Sequence, residues 1–294
     1  MPLGAVATLK GEYCFTVLKR GVPVRATGFF PNLITNAGMD MLGGIGPSSW
    51  YTYLPVGTST VAPQNTDTHL TNWMASAYSA SPFVNVIDTT HRQLVLTKTW
   101  TFSEGQAVGV IREVGVGAVS NGQLFSKAAL LDFRGIPSVF EVFADEQLQV
   151  TYRLRIQQPD DYTGVVNQHT FLVRPRLSAQ PSGNGWSWLG TPIFAFGSVS
   201  GGYGVYSGGI GVHTSNPLGN GVFVSSASVV DPYVAGSYTR TATVTFGISY
   251  SLGVIKSLVW CCGPTSWQAS LDPPLLHTNE DILTFKFSVS WARG

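Results

Sequence analysis

A chain of 294 residues in which only 11% are charged and 44% are hydrophobic cannot clothe two ordinary domains in Lys, Arg, Asp and Glu, since roughly a quarter of residues is the usual charged share. Its surface is expected to be Ser, Thr, Asn and Gly, or to be buried against other subunits. A net charge of +1 offers no general attraction for nucleic acid or anionic membranes, and the composition is too apolar for a disordered chain.

Along the chain the dominant signal is period-two alternation, which marks half-buried strands. Tyr13–Leu18 is rich in aromatic and β-branched residues. Asn36–Leu42 and Asp67–Ser76 are the two stretches that suit short helices, the second with Asp67 or Thr68 as its cap. Leu96–Phe102 is again strand-like. Leu148, Val150, Tyr152, Leu154 and Ile156 form one apolar face, with Gln149, Thr151, Arg153 and Arg155 on the other. Leu283, Phe285, Phe287, Val289 and Trp291 repeat that pattern near the C-terminus. The expected fold class is all-β, two tandem β-sandwich-like domains with one or two short helices. No run reaches the roughly 18 continuous apolar residues of a membrane span. Met1–Lys10 lacks the basic stretch and apolar core of a secretory leader.

An internal repeat supports two domains. Thr97, Thr99, Thr101 and Phe102, followed by Gly109-Val-Ile-Arg112, return as Thr241, Thr243, Thr245 and Phe246, followed by Gly253-Val-Ile-Lys256, each pair 144 positions apart. Val86-Ile-Asp88 matches Val229-Val-Asp231, and Asp145-Glu146 matches Glu280-Asp281, both just ahead of further strand segments. The polar stretch Gln157–Asp161 places the boundary between residues 1–157 and 158–294.

The first half carries an ordered set of motifs: Asn32-Leu-Ile-Thr-Asn-Ala-Gly-Met-Asp40, Val56-Gly-Thr-Ser59, Asp67-Thr68-x-Leu70, Ile111-Arg-Glu-Val-Gly-Val-Gly117, Leu124-Phe-Ser-Lys-Ala-Ala-Leu-Leu-Asp132 and Ala144-Asp-Glu-x-Leu-x-Val-Thr-Tyr-x-Leu154. Over residues 10–157 this set resembles a domain of tail fibre, baseplate and other minor structural proteins of tailed bacteriophages. The second half lacks the Asn-Leu-Ile-Thr and Glu-Val-Gly-Val-Gly segments. The resemblance implies a virion component that assembles in the bacterial cytoplasm, a homo-oligomer with a trimer as the first expectation, and contacts to other tail or baseplate proteins.

Chemistry is hard to find. His69, His91, His169, His213 and His277 show no metal-ligand spacing. Three cysteines, Cys14 and the adjacent Cys261 and Cys262, form no disulfide framework, and strand neighbours point to opposite faces. The acid pairs Asp145-Glu146 and Glu280-Asp281 occupy matching places, which favours turn chemistry over catalysis; Asp160-Asp161 falls in the linker. No nucleophile elbow or phosphate loop is present. The expectation is a non-enzymatic protein without catalytic residues, metal or cofactor. The residues suited to subunit contact or recognition are aromatic: Trp50, Tyr51 and Tyr53; Trp186, Trp188, Tyr203 and Tyr206 in a Gly-rich setting; and Trp260 with Trp267. Each is equally suited to a core position. A receptor-binding module that recognises a host surface glycan or protein through the aromatic loops of the second half is the alternative expectation, and a polysaccharide depolymerase the third.

Overall fold

The computed structural model describes residues 3–45, 49–81, 83–131, 136–176, 193–194, 196, 203–224, 229–247, 253–262, 265–278 and 280–294. In chain order, β1 (Leu3–Lys19), β2 (Val22–Ala26), β3 (Phe30–Pro31) and β4 (Leu33–Ile34) precede the helix α1 (Asn36–Gly43). Then come β5 (Tyr53–Gly57), β6 (Trp73–Tyr78), β7 (Val84–Asp88), β8 (Gln93–Thr101), β9 (Gly109–Ile111), β10 (Glu113–Gly117), β11 (Leu124–Ala129), β12 (Phe140–Val142) and β13 (Gln147–Gln157). The remaining strands are β14 (Tyr162–Val166), β15 (His169–Arg176), β16 (Tyr203–Tyr206), β17 (Gly221–Val224), β18 (Val229–Val230), β19 (Thr239–Phe246), β20 (Gly253–Cys262), β21 (Thr265–His277) and β22 (Leu283–Arg293). The chain is all-β with a single helix among the described residues.

The chain divides into two compact units that are not contiguous in sequence. Unit I comprises Met1–Thr8, Ile87–Leu94 and Gln157–Ala292; unit II comprises Leu9–Val86, Val95–Ile156 and Arg293–Gly294. One change of unit falls at Ile156/Gln157, beside the boundary read from the sequence. The others fall inside β1, β7, β8 and β22, so unit I takes in segments that a division into 1–157 and 158–294 leaves out.

Unit II is a sandwich. One layer contains β1, β13 and β8 side by side, and the other runs β4-β11-β10-β5-β6. The alternation of β13 is reproduced residue by residue, with Leu148, Val150, Tyr152, Leu154 and Ile156 fully buried. Tyr13 on β1 reaches across to Ser126 on β11, hydroxyl to hydroxyl at 2.8 Å. Phe125 of β11 stacks on Trp50 at 3.7 Å and meets Tyr152 edge-on at 6.4 Å. Such burial removes water from large apolar surfaces, about 1.5–3 kcal/mol for each large side chain.

Unit I is a second sandwich. One layer places β19 between β18 and β22; the other runs β14-β15-β21-β20-β16-β17. Trp260 of β20 pairs with Trp267 of β21 and stacks on Phe287 of β22 at 4.9 Å. The two repeat segments occupy like positions: β8 lies between β7 and β13, as β19 lies between β18 and β22. Gly109 and Gly253, paired in the repeat, both adopt positive φ (119° and 63°), a region that favours glycine.

Of the two expected helices, only Asn36–Gly43 forms. Thr35 caps it, accepting from the Gly38 N–H at 2.9 Å, and Gly44 closes it in the left-handed region. Asp67–Ser76 is not a helix. Asp67 Oδ2 accepts from Gln64 N at 3.0 Å and closes a turn. The Thr71 and Asn72 amides bond to Glu113, and Trp73–Tyr78 pairs with β5. Tertiary partners outcompete the local preference for helix.

Candidate functional site

Four of the first-half motifs contribute Gly57, Asp67, Glu113 and Lys127 to one buried polar fixture in unit II. Lys127 of β11 is almost fully buried and lies 3.1 Å from Asp67 and 3.4 Å from Glu113. Its ammonium also donates to the Thr71 hydroxyl at 2.8 Å. Glu113 of β10 is fully buried and accepts the backbone N–H groups of Thr71 at 3.0 Å and Asn72 at 2.7 Å. A buried charge is tolerable only when paired and hydrogen-bonded, and all three groups here meet that requirement. The arrangement clamps the 58–72 segment onto the outer face of the β10–β11 pair. Gly57 belongs to the same fixture: a Cβ there would meet Glu113 Oε1 at 2.6 Å and collide with the Asn72 carbonyl. Next to it, the Thr35 hydroxyl donates to Leu124 O at 2.6 Å, and Gly38 packs against the Phe125 backbone where a Cβ has no room.

A second buried cation went unnoticed in the sequence. Lys98 of β8 is buried between Leu96 and Trp100 on the inward face. Its ammonium donates to Tyr51 O at 3.0 Å and Ser79 O at 2.8 Å, and sits 4.6 Å and 4.9 Å from the Tyr51 and Trp100 ring centres. Desolvation lowers its pKa to about 8. Its position in the register of apolar residues was the available signal. Its bonds tie the turn before β5 to the end of β6.

In unit I, Gly211 of the glycine-rich stretch is held by side chains. Gln268 bonds Gly211 through both its amide oxygen and nitrogen, at 2.8 and 3.0 Å, and Arg174 donates to Gly211 O at 2.8 Å. Arg174 also pairs with Asp161 at 2.8 Å. Gly201 and Gly202 lie outside the described residues.

The acids fall into structural roles. Glu146 accepts from Phe143 N at 2.9 Å, and Asp281 accepts from Thr278 N at 3.4 Å, each from the third residue before it. The repeat thus conserves a turn. Hydrogen bonds from Thr278 hold the Asp281 carboxyl below its ordinary pKa. Asp160 pairs with Arg92. Burial raises the Cys261 thiol to about 11 and Cys262 further, which disfavours the reactive thiolate. No disulfide and no cluster of three metal-ligating side chains occurs among the described residues.

Most aromatic candidates are interior. Trp50, Tyr51, Tyr203, Tyr206, Trp260 and Trp267 are all buried. A buried ring offers no area to a partner, so these six are core residues rather than a recognition surface. Tyr203, Trp260 and Trp267 form a cross-strand row on the apolar face of their sheet. Trp186 and Trp188 lie outside the described residues. Among the described candidates, Tyr53 alone is partly open, its ring 5.3 Å from the exposed Tyr78. On the same strand as Tyr78, Trp73 is exposed too. Neither was among the sequence candidates. Trp73 falls within the stretch whose sequence suits a helix, and Tyr78 lies two residues beyond it.

No protein-family model matches this chain, and no curated protein or solved structure shows significant similarity to it.

Proposed function

We propose that this chain is a structural component of a tailed-phage virion, in the tail, baseplate or fibre, which works by assembling a symmetric homo-oligomer and joining tail parts rather than by catalysis. The observation that carries the reading is the character of the strands that end two of its sheets among the described residues. β7 and β18 end one sheet order, and β14 and β17 end another. They present Val84 and Val86, Val229, Val165 and Phe223 to solvent, with Val84 at 67% and Val165 at 66% exposure. None of the four contains Lys or Pro, the usual protection of an edge in a monomer. With few charges anywhere on the chain, such edges suit permanent subunit contacts. The motif resemblance of residues 10–157 supplies the virion context.

Gold-labelled antibody against this chain, applied to purified particles of the phage that encodes it, tests the reading. Label at a fixed place on the tail supports it. A chain abundant in the lysate but missing from the particles overturns it.

A further inference from the structure

We propose that the outer face of the β5–β6 edge in unit II, built on Trp73, Tyr78 and Tyr53, is a platform for a neutral oligosaccharide. The rings are open: Trp73 is 44% and Tyr78 61% exposed. They share one face. The bulge between Val56 and Gly57 shifts the strand register, and the Trp73 indole Nε1 donates to Ser76 Oγ at 2.8 Å, the side chain two places before Tyr78. Ser76 Oγ in turn donates to Ser120 O. Its own N–H satisfied, the indole is held in place and offers its face, so little freedom remains to be lost on binding.

Three features select a sugar over a protein. First, the area is small. A Trp or Tyr side chain buries roughly 150–250 Å² in full, so the open rings amount to about 200–300 Å², against about 800 Å² per partner in a stable protein interface. Second, the open edge of β6 is partly taken: Ser76 O, which faces away from β5, already accepts from the Gln106 amide at 2.8 Å. Third, the polar groups bonded beside the rings, from Asn72, Ser76, Gln106 and Ser120, are uncharged. The C–H face of a pyranose carries slight positive charge and stacks on the negative face of an aromatic ring, while its hydroxyls meet amides and hydroxyls at the rim. Trp73 and Tyr78 lie opposite Gly57 and Tyr53, four residue steps apart on β5, about 13 Å at the usual rise, which suits a short chain of sugars rather than one ring.

The test is a microarray of neutral bacterial surface glycans probed with the full-length protein, followed by fluorescence titration with the best binder, maltohexaose and cellohexaose. The wild type is expected to bind at least one of them saturably. Trp73→Ala and Tyr78→Ala should each weaken binding about tenfold, and Trp73→Phe, which keeps a stacking face and leaves the fold least disturbed, should weaken it less. Phe143→Ala, at another exposed aromatic, should leave binding unchanged. An array without neutral binders, or binding that survives in the Trp73→Ala/Tyr78→Ala double variant, overturns the proposal. Neither result bears on the oligomer or on the place of the chain in a particle.

Discussion

Lys127→Met tests whether the buried charges hold unit II together. The substitution keeps the length of the side chain and removes its charge. It leaves Glu113, fully buried, and Asp67 without their cation. Removing one partner of a buried pair costs about 3–5 kcal/mol because the other charge is stranded. Glu113 retains the Thr71 and Asn72 amides as donors, which places the expected loss at the lower end, about 3 kcal/mol. With a urea dependence of about 1–3 kcal/mol per molar, the unfolding midpoint followed by tryptophan fluorescence should fall by about 1–3 M. Amide exchange at Thr71 and Asn72 should accelerate, since the clamp on their segment is weakened. Adding Glu113→Gln should recover part of the loss, the double variant being less destabilised than the sum of the singles. A Lys127→Met midpoint within measurement error of the wild type would refute the reasoning, and the 58–72 segment would then be held by something other than these charges.

Gly38→Ala should be poorly tolerated, costing about 3 kcal/mol or more in urea unfolding, because the new Cβ collides with the Phe125 carbonyl; unchanged stability would contradict the close approach of α1 to β11. Thr35→Ala should cost about 1–2 kcal/mol through the lost helix cap and its bond to Leu124 O. Lys98 titrates near 8 when folded, against an ordinary value of 10.5. Between these values the unfolded chain binds the extra proton, so this residue's contribution to stability rises as pH climbs from about 8 to about 10. Tyr152 and Cys261, with raised pKa values, act the opposite way above about pH 9. The difference between the wild type and Lys98→Met isolates the lysine. The stability of Lys98→Met relative to wild type should fall over that window by up to about 3 kcal/mol, and a difference independent of pH would contradict it. Val84→Lys with Val86→Lys should dissociate the oligomer while changing intrinsic stability by less than about 0.5 kcal/mol, as read by native mass and urea unfolding.

Alternation made the strands legible. The faces of β13 and β22 follow from their sequences alone, because a strand with one buried side must carry apolar residues at every second place. The helix at Asn36 was legible through its cap. Asp67–Ser76 was not, because what determines its shape lies far away in sequence, at Glu113 and Lys127. Six of the aromatic candidates are core residues for a related reason. Trp260 and Trp267 flank a Gly-Pro pair whose sequence suggests a loop, yet they face each other as partners on β20 and β21. Their parity with Leu258 and Ala269 was the better guide. The same misplaced helix concealed Trp73. Lys98 was visible in register between Leu96 and Trp100, but a lysine in an apolar row is easily taken for an exception rather than a buried cation with two carbonyl partners.

The native mass of the purified chain at micromolar concentration tests the central claim most directly. Exposed valine edges and a charge-poor surface predict a closed oligomer, a small multiple of 31.5 kDa, and the resemblance to phage tail proteins makes three copies the first expectation. A stable monomer of 31.5 kDa at that concentration would contradict the account.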